Sequence, residues 1–146
     1  MNPSGTLTTM TKIELGLPWA PSINNYYGII RGSNRRYIKK PGREFRDKVV
    51  QLYQGGVTLE GDLKAEIVVY PPDRRRRDLD NLMKAVYDSL THAGVYADDS
   101  QIISQTHKWG PVIKPGYIHV TLSPSKRSTT IPPHVLKLIR EMEDAT

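Results

Sequence analysis

The 146-residue sequence contains no cysteine. That excludes a disulfide framework, thiolate metal sites and a cysteine nucleophile, and it fits a reducing compartment such as the cytosol. Long apolar runs are also missing: none approaches the ~20 residues a membrane-spanning helix needs. The first ten residues, MNPSGTLTTM, offer neither a basic segment nor an apolar core, so no secretory signal is expected there, and they read as a frayed terminus. Acid is in deficit. Lys and Arg number 21 against 15 Asp and Glu, leaving a formal charge of +6 and tilting the partner question towards polyanions. Apolar residues at 38% and charged residues at 25% exclude wholesale disorder. A chain of this length supplies one domain with one modest core, and is too short for two catalytic domains.

Where the charge sits is more informative than its sum. From Arg31 to Arg43 the chain reads RGSNRRYIKKPGR, placing Arg31, Arg35, Arg36, Lys39, Lys40 and Arg43 together without an acid. A second block is the unbroken run Arg74, Arg75, Arg76 and Arg77. From Asp78 to Gln101 the sign reverses: Asp78, Asp80, Asp88, Asp98 and Asp99 stand against one cation, Lys84. Basic flanks around an acidic centre suit a protein that draws in phosphate and then holds a metal against it.

Hydrophobic periodicity predicts a first strand over 12–17, where Ile13, Leu15 and Leu17 alternate with polar partners. The segment LPWAPSINNYYG follows as a loop. A helix is predicted over 43–53, with Phe45, Val49 and Leu52 inward, Arg46 and Asp47 outward, and Gly55–Gly56 as its stop. A strand over 63–70 closes at Pro71–Pro72. The next helix starts at Asp78 or Asp80 and runs to about Ala93, with Gly94 just beyond and Leu79, Leu82, Val86 and Leu90 as its buried stripe. Strands over 102–109 and 117–122 are joined around residues 110–116. The expected fold class is α+β, a mixed sheet with two main helices in the order β-α-β-α-β-β. Domain organisation is expected as a disordered 1–10, a folded domain over 11–122, and a linker with a helical tail over 123–146.

The stretch from Pro72 to Ile102 carries the chemistry. Asp78 and Asp80 sit two apart at a strand–loop–helix junction, and Asp98 and Asp99 follow the helix and a turn. Should the chain bring that turn back to the helix start, three carboxylates meet beside a lysine. Hard oxygen ligands of this kind select Mg²⁺ or Mn²⁺. Lys84, one turn after Asp80, would face the same site and stabilise charge on a leaving oxygen. The competing reading makes Asp78 and Asp80 plain helix caps, Lys84 an ordinary i,i+4 partner, and Asp98–Asp99 a turn.

The run RRRRDLDNLMKAVYDSLTHAGVYADDSQI resembles the signature of the RusA family of Holliday junction resolvases, and LPWAPSINNYYG is similar to that family's opening segment. The likeness extends in register from about Leu15 to Leu122. It implies a bacterial or phage-encoded cytoplasmic homodimer that binds four-way DNA junctions in recombination and repair. It implies Mg²⁺-dependent paired nicks leaving 5′-phosphates and 3′-hydroxyls, with Mn²⁺ as a substitute ion. By the resemblance the catalytic and metal-binding aspartates fall on Asp78, Asp80 and Asp99, the essential lysine on Lys84, and the arginine before the first aspartate on Arg77. Asp98 is a less certain ligand.

Two competing classes stay open at this level: a non-catalytic structure-specific DNA-binding protein, and a metal-dependent nuclease for flaps, forks or RNA. The expected DNA contacts are Arg35, Arg36, Lys39, Lys40, Arg43 and Arg74 to Arg77. Trp19, Tyr26 and Tyr27 suit either base stacking or core packing. No histidine shows ligand spacing, and none is assigned a role. The tail helix, with Leu136, Leu138 and Ile139, suits docking on the body or on a partner.

Overall fold

The computed structural model describes residues 12–146. Along them the elements run β1 (Ile13–Pro18), α1 (Ile23–Tyr26), β2 (Tyr27–Ile29), β3 (Arg36–Ile38), α2 (Lys40–Leu52), β4 (Leu63–Tyr70), α3 (Asp80–His92), a 3₁₀ turn (Asp99–Gln101), β5 (Ile102–Trp109), β6 (Tyr117–Pro124) and α4 (Pro133–Asp144). The expected frayed terminus, 1–10, lies outside the described residues. No helix among the described residues is long and apolar enough to cross a membrane.

Four strands form one mixed sheet in the order β1-β6-β4-β5. β6 pairs antiparallel with both β1 and β4, and β4 pairs parallel with β5. The period of two decides what each face does. Leu63, Ala65, Ile67 and Val69 of β4 are buried with Ile118, Val120 and Leu122 of β6. The alternate residues, Lys64, Glu66, Tyr70, Tyr117 and His119, line the open face. There Tyr117 shares a hydrogen bond with His119 Nδ1 (3.1 Å), and His119 Nε2 meets Glu14 (3.3 Å). The fold is the expected α+β mixed sheet, with α2 and α3 packed together over the core.

β5 and β6 are consecutive in sequence but not neighbours: β6 inserts between β1 and β4, and β5 takes the sheet edge beside β4. A parallel pair needs a crossover connection, and α3 supplies it. β6 also runs two residues past the expected end, because Ser123 and Pro124 pair with Lys64 and Leu63.

Helix α2 starts earlier than its turn signal suggested. Pro41 occupies its first turn, where a missing N–H costs nothing. Its inner face differs by one residue from the expectation. Leu52 is exposed, and Tyr53, i+4 from Val49, is buried instead. Arg46 does not face solvent either; it bonds across to α3. Helix α3 buries Leu82, Val86 and Leu90 as expected, with Met83, Ala85 and Tyr87 beside them. It ends where Gly94 adopts φ +78, a left-handed turn that glycine takes without a Cβ penalty. The predicted loop after β1 contains more structure than its Pro and Asn content signalled. It folds as the one-turn α1 and the two-stranded hairpin β2–β3.

Candidate active site

The arginine run lies in the connection from β4 to α3, at the end of the sheet where β4 exits. Asp73, which no sequence pattern singled out, organises this segment. Its carboxylate accepts the Arg75 N–H (2.9 Å) and pairs with Arg77 Nη1 (2.8 Å). Those two contacts, the Arg77 bond foremost, hold the Asp73 carboxyl below its ordinary pKa of 3.8. Arg77 also donates to the Arg75 carbonyl (3.2 Å), and its guanidinium carbon sits 5.3 Å from the centroid of the Trp19 ring. Trp19 is backed on the body by Gly116, where a Cβ would come within 2.9 Å of the ring. Arg77 is thus oriented by a carboxylate, a carbonyl and an aromatic face, while Arg74, Arg75 and Arg76 are exposed. A cleft of about 930 Å³ opens here, lined by Trp19, Glu44, Lys48, Arg76, Arg77 and Asp78.

Asp78 and Asp80 are exposed at the start of α3. The cap position is Leu79, itself in helical conformation, and no side chain caps the helix. The reading of these aspartates as caps is therefore not realised. Nor is the i,i+4 pair: among the described residues the ion pairs are Arg46–Asp88, Lys64–Glu66, Arg77–Asp73 and His119–Glu14. Lys84 instead places its ammonium 6.0 Å from the centre of the Tyr27 ring, which also carries Arg36 at 5.4 Å. Tyr27 thereby ties the basic hairpin to the lysine of α3 by cation–π attraction.

Asp88, on paper part of the acidic centre, is structural. It pairs with Arg46 (3.1 Å) and accepts a hydrogen bond from the Tyr26 hydroxyl, which knits α1, α2 and α3 together. Burial, reinforced by this carboxylate, pushes the Tyr26 hydroxyl well above its ordinary pKa. Of the aromatic trio, Tyr26 belongs to the core, Trp19 props Arg77 and Tyr27 props Lys84.

The Asp98–Asp99 turn divides in the same way. Ala97 N–H and Asp98 N–H both donate to Gln101 Oε1 (2.9 and 3.1 Å), and Gln101 Nε2 donates to the carbonyls of Leu59 and Gly61. Ser100 donates to the Asp98 carboxylate. Asp98 is thus engaged in shaping the turn, and Asp99 stays exposed beside it.

The expected closure of Asp99 onto Asp78 and Asp80 does not occur within one chain. β4 and β5 are parallel, so Asp80 stands at the exit end of β4 while Asp99 stands at the entry end of β5. The thirteen residues of α3 lie between, a rise of about 20 Å. Among the described residues no three His, Asp or Glu side chains lie close enough to hold a metal ion. Asp78 and Asp80 remain a free pair of hard oxygen donors, the kind of set to which Mg²⁺ binds together with substrate phosphate.

His107, which the sequence reading left without a role, lies on β5 towards the Asp80 end. Its Nε2 shares a hydrogen bond with the Tyr87 hydroxyl (2.8 Å). Burial lowers its pKa from 6.5, and the negative charge of Asp80 opposes that shift. Its strand position and the i+7 spacing of Asp80 and Tyr87 on α3 were visible beforehand. Their convergence was not.

The basic block at 31–43 splits by position. Arg31, Arg35 and Arg36 project from the β2–β3 hairpin and Lys40 from the start of α2, all exposed. Lys39 Nζ is bonded to the Asn24 carbonyl (2.9 Å) and Arg43 Nη1 to the Ile38 carbonyl (2.7 Å), so these two brace the hairpin.

A family model described as endodeoxyribonuclease RusA matches residues 18–121. The crossover junction endodeoxyribonuclease of Enterobacteria phage 82 is 40% identical over 117 residues, spanning 78% of this chain and 96% of its own length. Those of Shigella sonnei (strain Ss046) and Escherichia coli (strain K12) are 39% and 38% identical over the same span.

Proposed function

The chain belongs to the RusA family of endodeoxyribonucleases, and we propose that it resolves four-way DNA junctions by paired, metal-dependent nicks. One observation carries this reading above all. Among the described residues Asp78 and Asp80 are exposed and make neither an ion pair nor a helix-cap bond, next to an arginine that three contacts hold in place. Carboxylates that serve only to start a helix would be bonded to its N–H groups.

Asp78 and Asp80 would hold a divalent cation, Mg²⁺ by the oxygen-only donor set, with Mn²⁺ as a substitute. Bound there, the ion supplies Lewis-acid chemistry to the phosphodiester. The protein's own groups do the rest. Arg77 binds a non-bridging phosphate oxygen in a fixed orientation. Lys84, drawn over Tyr27, neutralises charge on the departing 3′-oxygen. Water adds to phosphorus as the P–O3′ bond breaks, leaving a 5′-phosphate and a 3′-hydroxyl. The hairpin arginines and Arg74 to Arg76 meet the flanking backbone.

The third aspartate comes from a second copy. Asp99 lies a helix length from Asp80 of its own chain, so a two-fold homodimer that sets one copy's Asp99 against the other's Asp78–Asp80 pair completes two identical sites. Two symmetric nicks in a four-way junction then follow from two symmetric sites. The deciding experiment incubates the protein and Mg²⁺ with a four-way junction, a fork, linear duplex and RNA of matched sequence. Preferential, paired cleavage of the junction is expected. Preferred cleavage of linear duplex or RNA, or no product with any divalent metal, would overturn the assignment.

A further inference from the structure

The β2–β3 hairpin carries an apolar side chain that the proposed reaction does not use. Ile29 is 70% exposed, and of the large apolar side chains among the described residues only Met142 of the tail is more so. It is set in basic surroundings. Arg31, Arg35 and Arg36 flank it, all exposed, and no acid lies between Glu14 and Glu44. An isoleucine side chain neither donates nor accepts a hydrogen bond, so it can hold neither a phosphate nor a polar base edge. What DNA offers it is the apolar face or the methyl group of a base.

The hairpin fixes the direction in which Ile29 stands. Tyr27 pairs with Ile38, Gly28 with Tyr37 and Ile29 with Arg36. Cross-strand partners share a face and successive pairs alternate, so Tyr27, Ile38, Ile29 and Arg36 lie on one side. At the root of that side Tyr27 and Ile38 pack against the core. Ile29 and Arg36 stand about 7 Å further along the strands, both exposed. Arg36 reaches back over the Tyr27 ring, the ring that also holds Lys84. Ile29 is thereby left bare on the side that carries the lysine of the cleavage site. On the other side the Tyr37 ring closes over Gly28 and leaves no room there for a side chain. The tip is braced as well. Ile30 N–H donates to the Arg35 carbonyl (2.8 Å), Ser33 N–H donates to the Ile30 carbonyl (3.1 Å), and Gly32 takes the left-handed φ of +80 that the turn requires.

We infer that Ile29 is a wedge for the base stack of the DNA. Resting on the junction-resolving reading, it inserts against an unstacked base at the crossover, while the hairpin arginines hold the phosphates around it and Lys84 meets the strand to be cut. Apolar wedges enter base steps where contacts to the flanking DNA offset the cost of unstacking. That cost is least where stacking is already broken. A four-way junction interrupts its stacking at the centre and a linear duplex does not, so the wedge selects by structure and not by sequence. Charge points to DNA and away from a second copy as the occupant. Two hairpins meeting at Ile29 would set arginine against arginine, whereas phosphate complements them. Ile29 is a specificity residue: it touches a base and not the reacting phosphate.

The test places 2-aminopurine, whose fluorescence rises when it unstacks, at the crossover of a four-way junction. The full chain is added without divalent metal, so that the junction is bound and not cut. Wild type should raise the fluorescence about two-fold, Ile29→Ser should leave it near that of the free junction, and Ile29→Leu should restore it. Ile29→Ser should keep the slope of log K against log salt, since no phosphate contact is lost. With Mg²⁺ in single turnover, Ile29→Ser should cut a fully paired junction about ten-fold more slowly than wild type, yet come within about two-fold of it on a junction with mismatched bases at the crossover, where the unstacking cost is already met. Ile30→Ser, on the opposite face of the hairpin, should leave both readouts unchanged. An unaltered fluorescence response in Ile29→Ser, a cleavage defect that the mismatch does not relieve, or the same defect in Ile30→Ser would each overturn the wedge. So would a raised dimer dissociation constant for Ile29→Ser, which would place the residue between subunits. All of these outcomes leave wild-type cleavage of the junction intact. A wild type that neither binds nor cuts the junction would instead sink the resolvase assignment, and the wedge with it.

Discussion

Asp80 opens helix α3 and Asp99 stands past its other end, so the two carboxylates are separated by the length of the helix that links them. In a dimer that shares its sites, this separation has a genetic signature. Asp80→Asn should keep the fold and junction binding and lose cleavage, because the amide keeps the shape and removes the charge that holds a cation. Asp99→Asn should behave alike. A mixed dimer of the two variants contains one site with both lesions and one with neither. It should nick a supercoiled cruciform plasmid to open circles, whereas either variant alone leaves it intact. A mixed dimer without activity would show that each site is built from a single chain.

Trp19 acts on the reaction through Arg77. Replacing it with leucine removes the aromatic face under the guanidinium, a contact worth roughly 0.5–1 kcal/mol. The expected cost is a few-fold fall in the single-turnover cleavage rate with little change in junction affinity, and Trp19→Phe should recover most of it. Asp73→Ala, which removes the ion pair, should add to the loss. The hold exerted by Asp73 is present at neutral pH and fades only as pH falls below its ordinary 3.8, since its carboxyl is depressed in the fold.

The hairpin arginines and their braces should separate in salt titrations. Arg31 and Arg35 project freely, so each alanine substitution should lower the slope of log K against log salt by about one. Lys39 is spent on the Asn24 carbonyl. Lys39→Ala should leave the slope nearly unchanged while loosening the hairpin, seen as faster exchange of the backbone amide at position 39, which bonds to the Tyr26 carbonyl.

His107 should make stability fall on mild acidification. Burial lowers the pKa of its ring below the 6.5 of an unfolded chain. Below about pH 6.5 the unfolded chain therefore binds more protons than the folded one, and unfolding becomes easier as pH drops towards the folded pKa. His107→Gln should flatten that part of a urea-denaturation profile. In Asp80→Asn the imidazole should titrate at still lower pH by NMR, because the charge that opposes the shift is gone.

Much of this protein was legible in one dimension because it rests on local chemistry. The strand over 63–70, the helix ending before Gly94 and the strand over 102–109 follow from side-chain period and from turn residues that act within a few positions. The D-L-D-N-L-x-K spacing placed Asp78, Asp80 and Lys84 on one junction, since a strand–loop–helix boundary is itself a local event. Tertiary structure decided what depends on residues distant in sequence. It enlisted Arg46 and Asp88, two members of outward-looking charge patterns, as a bridge between helices 42 positions apart. It drew Trp19 from a proline-rich loop to support Arg77, and Tyr27 to carry both Arg36 and Lys84. It also withheld Asp99 from its expected partners. Strand β5 lies parallel to β4, and a parallel crossover returns the chain to the opposite end of the sheet, which no spacing of aspartates in the sequence could reveal.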